Sequence, residues 1–369
     1  MSVNVVLKEL AELAFTERAF LSVYLIGPRS VKQLDKKFQR LERALAKENP
    51  TDKALKDERR YFAENVKAIY QYLGNNPLER GSLALFSCWA LDFFKAVPMS
   101  APAKDTIWID SSPYLRPLAS FEEEYENAAV VVADNKKARV FLVSAAVAAE
   151  EQRIKGNIKN HVRKGGWSQQ RYERRRDKEL LLYARKIVDA VEQLWCEEEF
   201  RRILLVGGKE ILRIVRENLP PALLALACDK AIDLSKGEGA LNSDIMELFA
   251  EEERRSERDL WERIRREHLR GGLAAVGIDE VLAAVKVGRI DEAIVNRDFK
   301  PEGRRCRACD SLEPGVRETC SVCNSTSLYP VEMVNEIVEL LKATGAAIDF
   351  AEPIPELAKV GSIAAFLRY

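Results

Sequence analysis

The chain has 369 residues, enough for two or three domains that each bury a core. With 47% hydrophobic and 31% charged residues it is not a globally disordered chain. The 58 Lys and Arg balance 58 Asp and Glu, so net charge by itself implies no polyanionic partner for the surface as a whole. No apolar run reaches the ~18–20 residues that span a bilayer. The first ten residues lack the basic region and cleavage site of a signal peptide, so a cytoplasmic protein without membrane attachment is expected.

An amphipathic stretch, Val5 to Leu13, opens the chain. The apolar run Phe20 to Ile26, closed by Gly27-Pro28, reads as a buried strand because it is short, partly β-branched and bounded by breakers. Two helices are expected at about 30–47 and 52–74, separated by Asn49-Pro50-Thr51. Ser82 to Phe86 and Thr106 to Ile109 read as further strands of the same sheet. Near Asn127 a second unit begins with a hairpin, Val130–Ala133 and Arg139–Val143, turning at Asp134-Asn135-Lys136-Lys137. A long helix at roughly 171–195 presents Leu180, Leu181, Ala184, Ile187 and Val191 on one face. Arg202–Val206 is then a buried strand, with Gly207-Gly208 read as strand-end glycines rather than a phosphate loop. The charged segment 249–270 reads as a solvated connector.

A third unit starts near Gly271-Gly272, with a helix from Val276 to Val287, a strand Glu292–Val295, a helix Val331–Ala343, and strands at Ala347–Phe350 and the C-terminus. Alternating strands and helices make this an α/β protein, and the boundaries expected are 1–126, 127–268 and 269–369.

Two constellations carry chemistry. Cys306-x-x-Cys309 and Cys320-x-x-Cys323 are ten residues apart, the spacing that offers four thiolates to one tetrahedral ion. Zn²⁺ is the expected metal, in a minidomain at about 300–328, and four protein ligands make the site structural. The flanking Arg304, Arg305 and Arg307 are candidates for RNA contact. Cys88, Cys196 and Cys228 stand singly and read as packing thiols of a reducing compartment.

The second constellation is the segment Arg153 to Lys178, which holds ten Lys or Arg against Glu173 and Asp177. Such cationic density favours phosphate neutralisation. Gly165-Gly166 allow a positive φ and a close backbone approach. Trp167, read as lying at the tip of a loop, offers a stacking surface, while Gln169 and Gln170 can both donate and accept.

These residues resemble the middle domain of the class I peptide-release factors of archaea and eukaryotes. His161-x-x-Lys164-Gly165-Gly166-Trp167-Ser168-Gln169-Gln170-Arg171-Tyr172-x-Arg174 keeps that family's glycines, serine, arginine and aromatic in order. Gly277 to Asp291 is similar to the opening of the family's third domain, and Gly361 to Tyr369 to its C-terminal signature. The cysteine cluster is similar to the zinc minidomain of archaeal members. Two departures stand out. Trp167 occupies the place of the glutamine in Gly-Gly-Gln, with Gln169 two residues on, an arrangement similar to a divergent Gly-x-x-Gln branch that includes bacterial and Vms1-like rescue factors. The Asn-Ile-Lys-Ser stop-codon motif is missing from the helical region around Ala54–Tyr61, and Tyr114 to Phe121 lacks the codon-reading cysteine.

The resemblance implies three domains: an N-terminal α/β domain, an RNase H-like middle domain with the basic Gly-Gly loop, and a C-terminal α/β sandwich with the Cys₄ insertion. It implies a ribosome-associated factor that hydrolyses peptidyl-tRNA, freeing nascent chains in rescue of stalled ribosomes without stop-codon reading. Gly165, Gly166 and Gln169, or else Gln170, would orient the water and stabilise the developing oxyanion. Lys159, Arg163, Lys164, Arg171 and Arg174 would hold rRNA and tRNA phosphates, and Trp167 would stack on a base. The ribosome, peptidyl-tRNA and a translational GTPase or ABC-type ATPase are the implied partners. A tRNA 3′-end endonuclease of the Vms1-like kind, a stop-codon-dependent termination factor and a non-catalytic ribosome adaptor of the Pelota kind stay open as alternatives.

Overall fold

The computed structural model describes the chain apart from residues 1–2, 48–52, 80, 100–104, 125–127, 145–146, 156–166, 198–199, 201 and 231–237. The chain divides into two compact units, Met1–Glu123 with Ser256–Tyr369, and Glu124–Arg255.

The first unit begins with α1 (Val3–Ala11), β1 (Phe20–Ile26), α2 (Gly27–Lys47), α3 (Lys53–Asn75) and β2 (Ser82–Cys88). A 3₁₀ turn at Trp89–Leu91 leads to β3 (Phe93–Met99), β4 (Thr106–Asp110) and α4 (Arg116–Glu124). The strands form an antiparallel sheet in the order β3-β2-β1-β4. β1 is an unbroken apolar run because both of its faces are covered. Leu21, Val23 and Leu25 pack with Leu34, Phe38, Phe62 and Ile69 of the α2–α3 pair. On the other face Tyr24 joins Leu7, Leu10, Phe86 and Leu118, and its hydroxyl donates to the Tyr114 carbonyl at 2.5 Å. β3 escaped the sequence reading because its exposure alternates irregularly and a proline interrupts it.

The second unit contains β5 (Ala128–Ala133), β6 (Lys137–Ser144), β7 (Val147–Lys155), α5 (Trp167–Glu197), β8 (Arg202–Gly207), α6 (Lys209–Asn218), α7 (Pro221–Leu224) and β9 (Ala227–Lys230). Its sheet order is β7-β6-β5-β8-β9, an antiparallel meander joined to two parallel strands. β5 is buried along its full length. The apolar stripe of α5, including Leu180, Ala184, Ile187 and Val191, packs on the sheet with Ile211 and Val215 of α6. Gly207 (φ +135°) lies so close to β5 that a Cβ there would meet the Ala133 carbonyl oxygen at 2.0 Å. Close strand packing, not phosphate cradling, accounts for that glycine.

The boundary between the units falls within α8 (Glu238–Leu269). The expectation of a solvated connector holds only for part of this helix. Its charges hide a periodic stripe, and Leu260, Trp261 and Ile264 are buried with Ile294, Leu357 and Ala364. The first unit then resumes with β10 (Ala274–Val276), α9 (Ile278–Lys286), β11 (Ile290–Asn296), β12 (Glu302–Cys306), β13 (Leu312–Pro314) and β14 (Leu328–Glu332). It closes with α10 (Met333–Thr344), β15 (Ala347–Ala351), α11 (Pro355–Lys359) and β16 (Ile363–Leu367). One sheet runs β10-β16-β11-β15, and a small ribbon β13-β12-β14 carries the cysteines.

Within the first unit the two ends of the chain share one core. Leu7, Leu10 and Leu115 are buried in the same cluster as Val281, Ile337, Leu341 and Phe350. A buried polar seam lies alongside. Asn335 of α10 accepts from the Leu115 and Arg116 backbone N–H groups (2.7 and 3.0 Å), satisfying donors that the start of α4 leaves open. Glu332 accepts from Val334 and Asn335 N–H (3.2 and 3.0 Å), capping α10, and pairs with Arg116 at 2.8 Å. Ser112 donates to Glu339 at 2.8 Å, and Lys342 pairs with Glu122 at 3.0 Å.

Candidate functional site

The four cysteines come together as their spacing predicts. All four Sγ atoms lie within 4.8 Å of one another, and none is in a disulfide. The Cys306–Cys323 and Cys309–Cys320 Sγ pairs are each 3.5 Å apart. Tetrahedral thiolates about 2.3 Å from an ion sit about 3.8 Å from each other, so the cluster fits a metal ion with little adjustment.

Two matching turns build the cluster. The Cys306 carbonyl accepts from Asp310 N–H at 2.9 Å, and the Cys320 carbonyl from Asn324 N–H at 3.0 Å. Cys306 N–H donates to the Ser311 carbonyl (3.0 Å) and Cys320 N–H to that of Ser325 (2.9 Å). Asp310 and Asn324 both take positive φ (60° and 58°), a conformation those two residue types tolerate. Val322 N–H points at the Cys320 sulfur, 3.4 Å away. Buried Glu313 accepts from the Ser321 N–H (2.9 Å) and hydroxyl (2.6 Å), tying the second turn to β13; the Ser321 hydrogen bond holds its carboxyl below the usual range.

The arginines flanking the cluster correct an expectation. Read as RNA contacts, Arg305 and Arg307 are instead committed to carboxylates inside the protein. Arg307 pairs with Glu58 of α3, a fully buried residue that also binds Arg18 at 2.7 Å. Its guanidinium lies 4.8 Å from the ring centre of Tyr329. Arg305 binds Asp310 at 2.9 Å and also Glu336. Glu336 is pushed up to about 8, by burial first and by Asp110 second, with Arg305 opposing. Burial likewise raises Glu339 well above the usual carboxylate range. Sequence reasoning missed Glu58 entirely, since it lies 249 positions from Arg307 in an ordinary helical pattern.

Of the residues expected to carry the chemistry, Lys159, Arg163, Lys164, Gly165 and Gly166 lie outside the described residues, as does His161. Trp167, Gln169, Gln170 and Arg171 fall in the first turns of α5, which starts at Trp167 rather than near Arg171. The start of the basic segment is likewise not loop: Arg153 lies in β7, opposite Arg139 of β6. Arg174 is exposed one turn further along α5. Next to it Arg176 forms a two-pronged pair with Glu210 in the first turn of α6, one arm at 2.8 Å. This clamp and the apolar stripe beyond it fix the helix that carries Gln169 and Gln170.

Comparisons with known proteins bear on the same segment. The family model for bacterial archaeo-eukaryotic release factor family 10 matches residues 113–254. Peptide chain release factor subunit 1 of Archaeoglobus fulgidus is 25% identical over 284 residues, covering 70% of each chain. That of Methanocaldococcus jannaschii is 25% identical over 290 residues, covering 70% of this chain and 67% of its own. Among solved structures, archaeal translation termination factor aRF1 aligns over 100% of this chain and 99% of its own, at 16% identity and a TM-score of 0.27. Dom34 of S. cerevisiae aligns over 78% and 79%, at 12% identity and a TM-score of 0.39. The chain is thus similar to release-factor-like proteins of the archaeo-eukaryotic type, by the family model over residues 113–254 and by archaeal release factors at about a quarter identity.

Proposed function

We propose that this protein is a cytoplasmic, ribosome-associated factor that hydrolyses peptidyl-tRNA, freeing nascent chains from stalled ribosomes without reading a stop codon. The observation that carries this reading is the family match over 113–254, which brackets the basic Gly165-Gly166 segment. Water attacks the ester between the peptide and the tRNA 3′ end, and the tRNA hydroxyl leaves with a proton. Gly165 and Gly166 bring backbone close to the ester, and Gln169, with Gln170 as its alternative, orients the water and meets the oxyanion. Lys159, Arg163, Lys164, Arg171 and Arg174 neutralise rRNA and tRNA phosphates, and Trp167 stacks on a base. No general base is required of the chain, because positioning and charge stabilisation supply the rate.

The Cys₄ centre holds Zn²⁺, favoured over other ions by four thiolates in tetrahedral reach. Its role is structural, because four protein ligands leave no open position. The large ribosomal subunit and peptidyl-tRNA are the direct partners, with a translational GTPase or ABC-type ATPase delivering or removing the factor.

The test is peptide release from stalled ribosome complexes. Gln169→Ala and Gly165→Ala are each expected to lower the release rate by about 10²-fold or more, the scale of removing one oxyanion or positioning group. Release at the wild-type rate in both variants would remove the basis for the assignment. The tRNA 3′ terminus separates hydrolysis, which leaves CCA intact, from endonucleolytic cleavage, which removes it.

A further inference from the structure

Helix α2 carries a row of basic residues apart from the Arg153–Lys178 segment. Arg29, Lys32, Lys36, Arg40, Arg43 and Lys47 are all exposed, and their successive spacings are three, four, four, three and four residues. At 100° per residue these six cations fall on one side of the helix, in a stripe about 27 Å long. The two acidic residues of α2, Asp35 and Glu42, lie off that stripe, and Asp35 is bound to the Tyr70 hydroxyl. Each consecutive pair places like charges at i,i+3 or i,i+4, which destabilises a helix. Among the described residues none of the six has a carboxylate partner. Between Lys36, Arg40, Arg43 and Lys47 the surface is concave.

We infer that the outer face of α2 is a polyanion-binding surface that engages the sugar-phosphate backbone of a structured RNA. The other face of the helix is already committed, since Leu34, Phe38 and Leu45 are buried against the sheet and α3. No large hydrophobic side chain of α2 is exposed. α2 exposes no apolar face for insertion into a membrane and no apolar or aromatic side chain to anchor a protein partner. A linear row of cations with no apolar centre matches instead a linear row of phosphates. Neutralising those phosphates releases their counterions and relieves the repulsion along the helix. The surface is independent of the proposed hydrolysis, and its test contains no peptidyl-tRNA.

The 369-residue protein, prepared with zinc, is titrated against a fluorescent RNA hairpin across a series of salt concentrations. The triple variant Lys36→Ala, Arg40→Ala, Arg43→Ala keeps helix propensity, because alanine is the strongest helix former, and circular dichroism checks the fold. Binding is expected to weaken at least tenfold at low salt. The slope of log affinity against log salt should shrink by about 2–3, roughly one per lost phosphate contact. An unchanged affinity and slope in the variant overturns the inference. So does absence of RNA binding by the wild type, or a variant whose loss appears only with anionic phospholipid vesicles. A duplex DNA arm distinguishes recognition of phosphates in general from recognition of A-form RNA.

Discussion

Replacing Arg116 by Met tests the polar seam that joins the two ends of the chain within one unit. Arg116 and Glu332 are 6% and 9% exposed at their side chains, and their charges meet at 2.8 Å. Arg116 also donates to the Arg297 carbonyl at 3.0 Å. Methionine fills most of the volume but leaves the Glu332 carboxylate buried beside no cation. Breaking a buried pair from one side costs about 3–5 kcal/mol, against a typical domain stability of about 5–15 kcal/mol. Adding Glu332→Gln removes the stranded charge while keeping a side-chain oxygen to cap α10. The double variant is therefore expected to recover about 1–2 kcal/mol of the loss, a coupling typical of groups in one network. Urea unfolding at neutral pH, followed by circular dichroism and tryptophan fluorescence, measures both. Trp108 stacks on Tyr114 (centroids 5.2 Å apart, planes at 26°), so its emission reports on this seam. A loss below about 1 kcal/mol for Arg116→Met, or a double variant less stable than the single, would show that the pair carries no net buried charge.

Other perturbations have defined outcomes. Removing the metal with a chelator, or replacing Cys309 by Ser, should abolish stoichiometric zinc binding and lower the unfolding temperature; a zinc content unaffected by Cys309→Ser would exclude the four-cysteine centre. Glu336 is pushed up to about 8 in the folded protein, so the folded state holds its proton more tightly than the unfolded chain does. Its contribution to stability is therefore greatest below the ordinary carboxylate range and is lost as pH rises toward 8; Glu336→Gln should flatten melting temperature over that window. A slope identical to that of wild type would assign the pH dependence elsewhere. Gly207→Ala should destabilise the second unit by on the order of 3 kcal/mol, from a positive φ and a Cβ 2.0 Å from the Ala133 oxygen. A melting curve matching wild type would mean β5 and β8 can separate at that point.

Short-range patterns proved legible. The apolar run Phe20–Ile26 is β1 with the expected bounds, because an unbroken buried run between breakers has few other solutions. The hairpin at Asp134 has its turn where the sequence suggested, with Asp134 accepting from Lys136 and Lys137 N–H. The two Cys-x-x-Cys turns converge because each is a local structure that needs only a short ribbon to meet the other. Element starts were less legible: α5 begins at Trp167, since glutamine and serine suit a first helical turn as readily as a loop.

The amino-acid sequence by itself determined strands such as β1 and the β5–β6 hairpin, the spacing of the thiolate cluster and the family likeness, because those are encoded in local patterns; β3 and β7 were not legible in it. Tertiary structure decided which charges are used up. Arg307, next to Cys306, looked free for RNA until α3 delivered Glu58 from 249 positions away. The cations of α2, diluted among neutral residues in linear order, became a single row once the helix wound and its apolar side was covered. Spacing along a chain specifies local conformation, whereas pairing and exposure depend on what the rest of the fold brings alongside.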